Sequence, residues 1–97
     1  MQLVINQNAI NSLCQEEDIA YLGLFGSTAR NEAKKESDVD ILVDFNRAKS
    51  FFQLSDVKEK LEELFEKKVD LVLRRTISEP VKSYILKDLI TLYEKKP

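Results

Sequence analysis

Two short runs constrain this chain more than anything else in it: Ile19–Phe25 (IAYLGLF) and Val39–Phe45 (VDILVDF). Each is too short for a typical helix and rich in the side chains that strands favour, so both read as strands with at least one buried face. The first runs straight into Gly26-Ser27, and the second opens on Asp38-Val39-Asp40, ten residues after the serine. A turn-forming pair and a pair of acids thus both fall at strand ends.

The rest of the chain arranges itself around these strands. Ala9, Ile10, Leu13 and Cys14 recur at helical spacing and predict a helix over about residues 6–16. Ser27 has the chemistry of an N-cap for a short helix from Thr28 to about Glu32. Ser50 and Gln53 have capping-box spacing, and Phe51, Leu54, Val57, Leu61, Leu64 and Phe65 form an apolar stripe along the helix that follows. Val69–Leu73 predicts a third strand. Ser78 with Pro80 opens a last helix to about Asp88, and the following LITLY has the composition of an edge strand. The order is α-β-α-β-α-β-α with a further β.

Composition bounds the chemistry. A chain of 97 residues with 43% hydrophobic and 33% charged residues has room for one modest core, so residues 1–97 are expected to form a single domain. Its net charge of -2, with acids and bases interleaved, lacks the basic face that nucleic acid attracts, and no direct nucleic-acid ligand is expected. There is no histidine, and Cys14 is the only cysteine, which excludes an internal disulfide, a cysteine-rich zinc site and the commonest general base. Carboxylates must carry whatever reaction occurs. Neither a membrane span nor the start of a signal peptide is present in the sequence, which places the chain in the cytoplasm by default.

Strand periodicity then sorts the carboxylates. Asp38, Asp40 and Asp44 share one face of their strand, while Val39, Ile41, Val43 and Phe45 share the other and suit a core. Two carboxylates held close repel unless a cation lies between them, and hard oxygen ligands suit Mg²⁺. Taken alone, Asp38 also fits a turn and Asp40 a solvated edge. The Gly-Ser pair supplies the companion signal: glycine allows a tight turn and close ligand approach, and the free N–H groups at a helix start favour phosphate. A Gly-Ser-x10-Asp-x-Asp pattern arises by chance in about one in a thousand sequences of this length. In Val69–Leu73, Asp70 is the one acid among apolar neighbours, fitting either an exposed edge or a metal; Asp44, at the far end of its own strand, is the rival third acid. Arg30 follows the Gly-Ser turn closely enough to reach a phosphate. Lys34, Lys35, Arg74 and Arg75 are weaker sources of positive charge.

These residues resemble the minimal nucleotidyltransferase domains of the DNA polymerase β superfamily, whose signature is Gly-Ser, about ten residues, then Asp-x-Asp. The likeness runs through LFGSTARNEAKKESDVDILVDF and on to KKVDLVLRR and KDLITLYEKK, with Asn31 standing where such relatives often carry glycine. The resemblance implies an α+β fold of α/β-like order, a small mixed β-sheet packed with helices. It implies that Gly26, Ser27 and Arg30 bind the nucleotide, and that Asp38, Asp40 and Asp70 are catalytic and hold metal, two Mg²⁺ ions, with ATP as donor. Asn31 is a mild departure, since asparagine tolerates a left-handed backbone.

The chain is expected to end after this minimal unit, which leaves the acceptor to a partner. Domains of this kind typically act as antitoxins paired with a HEPN-domain ribonuclease toxin, attaching AMP to a tyrosine of it, so the resemblance implies a hetero-oligomer with such a toxin. A docking antitoxin without catalysis and an enzyme acting on a small hydroxyl compound are the alternatives.

Overall fold

A computed structural model describes residues 5–32, 34 and 36–95. The first helix, α1 (Gln7–Glu16), starts where the Asn6 side chain accepts a hydrogen bond from the Ala9 amide at 3.1 Å, and it buries Ile10, Leu13 and Cys14. Strand β1 (Ile19–Phe25) follows after Asp18, whose φ of 59° turns the chain. A one-turn helix α2 (Gly26–Ala29) leads towards β2 (Val39–Phe45). Helix α3 (Phe51–Phe65) carries the expected capping box, with the Ser50 hydroxyl accepting from the Gln53 amide and the Gln53 side chain accepting from the Ser50 amide. Strand β3 (Val69–Leu73), a 3-10 turn (Arg74–Thr76), α4 (Val81–Lys87) and β4 (Ile90–Glu94) complete the order.

The four strands form one mixed sheet in the order β3-β2-β1-β4. β1 runs antiparallel to β2 and β4, whereas β2 and β3 are parallel and are joined by α3, the kind of crossover that a parallel pair requires. Strand parity decides the layers. Val39, Ile41, Val43 and Phe45 point into the main core with residues from α1 and α3, including Ile10, Leu13, Val57, Leu61 and Phe65. Leu42, of opposite parity, lies in a smaller cluster with Tyr21, Phe25 and Ile85 of α4. Helices α1 and α3 therefore cover one face of the sheet, and α4 covers part of the other, which is the face the acids share. Among the described residues no helix is long and apolar enough to cross a membrane.

Three details depart from expectation. Helix α2 begins at Gly26, with Phe25 in the N-cap position and no capping side chain, so Ser27 lies inside the helix rather than at its cap; the positive φ of Gly26, 74°, makes the strand-to-helix turn instead. The helix also stops at Ala29, short of Glu32. Phe51, assigned to the apolar stripe of α3, is 79% exposed and its neighbour Phe52 82% exposed. These two occupy the first turn of the helix and stack edge to face on one another, centroids 6.1 Å apart, while contact with the core begins at Leu54 and Val57. Asn31 takes a φ of 60°, the left-handed conformation that glycine would supply more readily.

Cys14 is buried, and burial pushes its thiol up to about 12. The thiolate is the reactive form, so Cys14 in the folded protein is expected to react with a thiol reagent at pH 8 on the order of 100-fold more slowly than in denaturant. An Ellman's time course with and without urea checks this, and equal rates would show that the α1 face opens readily.

Candidate active site

The ends of three strands bring the sequence-singled residues together. Phe25, the last residue of β1, lies opposite Asp40 of β2, and Asp40 lies in register with Asp70 of β3. Registered residues of neighbouring strands project to the same side about 5 Å apart, so the Asp40 and Asp70 carboxylates share a face. Asp38 is on that face two residues earlier, where it is exposed, as is Asp70. Asp40 is half-buried because the Gly26 turn closes over it: a Cβ built on Gly26 would lie 2.2 Å from Asp40 Oδ2. The glycine is thus required twice, for its backbone angle and for the room it leaves.

Electrostatics follow from this crowding. Burial first, then the charges of Asp70 and Asp38, push the Asp40 carboxyl above the usual carboxylate range, and Arg30 opposes them. Asp40 therefore senses both other acids of the set and the arginine. Among the described residues, however, no three acidic or cysteine side chains close on a single point as a ready-made metal cage. Their chemistry nevertheless fits a hard divalent cation, since the donors are all carboxylate oxygens and a cation would relieve the like-charge crowding at Asp40.

Arg30 caps the C-terminus of α2, and its guanidinium is engaged by two acids: Nη1 donates to Asp88 Oδ2 at 2.8 Å and Nε to Glu32 Oε2 at 3.1 Å. Asp44, the rival third acid, is held at 2.8 Å by Arg75, which also donates to the Phe45 carbonyl, at the opposite end of β2 from Asp38. The guanidinium of Arg74 lies 4.5 Å from the centre of the Tyr21 ring. Neither arginine is beside the Gly26 turn. Lys34 is exposed, and Lys35 lies outside the described residues. A groove lined by Phe45, Ala48, Leu54, Leu73 and Thr76 also lies at the far end of the sheet, away from Asp38, Asp40 and Asp70.

Two features of the site escaped the sequence. The Thr28 hydroxyl, inside the Gly-Ser turn helix, is buried with no hydrogen-bond partner among the described residues. Asp88 reaches Arg30 from the junction of α4 and β4, and no local pattern signals a partner 58 residues away.

A glycine turn set against paired carboxylates at the ends of adjacent strands defines the nucleotidyltransferase class of site. The comparison with known families agrees: residues 7–97 match the family described as polymerase beta, nucleotidyltransferase, and the chain belongs to it. It is 39% identical over 69 residues to the protein adenylyltransferase MntA of Thermococcus cleftensis, covering 71% of this chain and 70% of that one. Among solved structures, a toxin-antitoxin with AMP-PNP superposes with a TM-score of 0.77 at 23% identity, over 95% of this chain and 76% of that chain. A second, described as a tri-AMPylated Shewanella oneidensis HEPN toxin in complex with MNT antitoxin, matches with a TM-score of 0.67 at 22% identity, over 92% of this chain and 70% of that chain. At these identities the two structures establish the shared fold.

Proposed function

We propose that this chain is a Mg²⁺-dependent protein adenylyltransferase that transfers AMP from ATP to a tyrosine hydroxyl of a HEPN-domain toxin, and so acts as its antitoxin. The observation that carries the reading is the placement of Asp40 between the Gly26 turn and Asp70, with Asp38 on the same face. The likeness to an adenylyltransferase and the fold shared with toxin-bound antitoxins support the choice of donor and acceptor.

Chemically, the acceptor hydroxyl oxygen attacks the α-phosphorus, the bond from that phosphorus to the bridging oxygen of the β-phosphate breaks, and pyrophosphate leaves. Asp70 is the candidate to take the hydroxyl proton. Asp38, Asp40 and Asp70 would hold two Mg²⁺ ions, which when bound neutralise the triphosphate and ease ionisation of the hydroxyl. Ser27 and the first N–H groups of α2 would bind the β- and γ-phosphates, and Arg30 would add positive charge. Without histidine, these carboxylates are the acid-base groups the chain offers at the site.

Mass spectrometry of a HEPN-domain toxin after incubation with this protein, ATP and Mg²⁺ tests the reading. The toxin is expected to gain one or more AMP units on tyrosine, and to gain none when chelator is in excess. The exposed Phe51-Phe52 pair favours a second reading, a docking antitoxin without catalysis; a toxin bound and neutralised with its mass unchanged would establish that one.

A further inference from the structure

We propose that Asp88 is a positioning residue for nucleotide transfer: it holds the Arg30 guanidinium beside the Gly26-Ser27 turn, so that the remaining N–H donors of Arg30 serve the triphosphate. This inference rests on the adenylyltransferase reading above and deepens it.

The contact itself is specific. Of the two acids on Arg30, Glu32 is two residues away with its side chain 66% exposed, whereas the Asp88 side chain is 18% exposed and bonds at 2.8 Å. Asp88 is also the better anchored. It caps α4, and two residues later Ile90 pairs with Leu24, two residues before Gly26. The intervening Leu89 packs so closely on β1 that a Cβ on Gly23 would meet its Cδ1 at 2.7 Å. Asp88 is therefore fixed to the same strand that delivers the Gly26 turn. An acid placed beside a site meant for a triphosphate would repel its ligand unless it served a cation, and Arg30 is that cation. Two of its nitrogens are committed, Nε and Nη1. A guanidinium has five N–H donors, so three remain for a ligand, already oriented before the nucleotide arrives.

The alternative is that the pair merely ties α4 to α2. Partly exposed ion pairs add little to stability, so the two roles separate on nucleotide affinity rather than on folding. ATP affinity in the presence of Mg²⁺ is measured by calorimetry, and KM for ATP and kcat by label transfer to a HEPN-domain toxin, for wild type, Asp88→Asn, Asp88→Glu, Arg30→Ala and the double variant Arg30→Ala/Asp88→Asn. Asp88→Asn is expected to weaken ATP binding and raise its KM about tenfold, the scale of one charge-assisted hydrogen bond, with kcat changed far less. Asp88→Glu should recover most of the loss, and Asp88→Asn should cost nothing further once Arg30 is alanine. Melting temperatures should stay within about 4 °C of wild type. Unchanged ATP affinity in Asp88→Asn, or a loss that persists in full without Arg30, would overturn the proposal. A wild-type protein that binds ATP but labels no toxin would overturn the adenylyltransferase reading instead, and the calorimetric comparison would still decide the role of Asp88.

Discussion

Asp40→Asn is expected to lower AMP transfer by about a thousandfold or more while making the metal-free protein harder to melt at neutral pH. Both effects have one cause. Asparagine keeps the size of the side chain against the Gly26 turn but removes the charge that is proposed to bind metal and that Asp70 and Asp38 repel. In the folded chain the Asp40 carboxyl is pushed above its usual range, whereas unfolding returns it to that range. The folded state therefore holds its proton more tightly than the unfolded one. Stability linked to Asp40 is full below the unfolded value and is lost as pH rises through the folded value, so at neutral pH the carboxyl is a net cost. Thermal melts of wild type and Asp40→Asn should differ at pH 7, with the variant higher, and converge when the pH falls below the ordinary aspartate range. Added Mg²⁺ or Mn²⁺ should raise the melting temperature of wild type and leave the variant nearly unmoved, since a ligand stabilises only the state that binds it. A variant that melts lower than wild type in chelator, or that still labels a toxin, would contradict the placement of Asp40 at the reacting centre.

What the sequence made legible was whatever local chemistry decides. Ile19–Phe25, Val39–Phe45 and Val69–Leu73 are strands over the very ranges read from their apolar patterns, since each is a short run rich in apolar and β-branched residues with polar or turn-forming neighbours. The Ser50-Gln53 box is legible for the same reason, as both of its bonds lie within one turn. Ser27 misled because a serine before a short helix is the usual capping signal, whereas here the backbone of Gly26 makes the turn. Phe51 misled because periodicity gives the direction of a side chain but not whether a neighbour is there to cover it.

The site divides along the same line. Parity placed Asp38, Asp40 and Asp44 on one face, and the position of Asp44 at the far end of its strand favoured Asp70 as companion to the pair. Register supports that preference: Asp70 stands beside Asp40 on the adjacent strand, and Asp44 is taken up by Arg75 at the far end. Arg30 was legible as a charge near the turn, and its tie to Asp88 was not, because that contact exists only once β4 has paired with β1. Long-range pairing also decides how much of Asp40 is buried, and hence its raised proton affinity.

The second large effect belongs to Gly26→Ala, which is expected to lower transfer about 100-fold, the scale of a reacting group misplaced by an ångström, and to cost about 1–3 kcal/mol of stability. An alanine at 26 must hold a φ of 74° that side chains rarely adopt, and its Cβ would stand 2.2 Å from Asp40 Oδ2. One of the two must yield. If the backbone relaxes, the turn proposed to receive the phosphates moves; if the Asp40 side chain swings away, the proposed metal-binding face loses its central oxygen. Gly23→Ala is the informative comparison, because its Cβ also meets close neighbours, at 2.7 and 2.8 Å, yet these are the outer atoms of Leu89 and Tyr21 rather than the carboxylate of Asp40, and no positive φ is involved. Both variants should lose stability, but in the fraction that remains folded Gly26→Ala should lose far more metal-dependent ATP binding than Gly23→Ala, whose effect through Leu89 and Asp88 should not exceed about tenfold. Calorimetric titration of ATP with Mg²⁺ into each variant, corrected by circular dichroism for folded protein, makes that comparison. Wild-type affinity in folded Gly26→Ala would show that Asp40 can do its work without the space the glycine leaves.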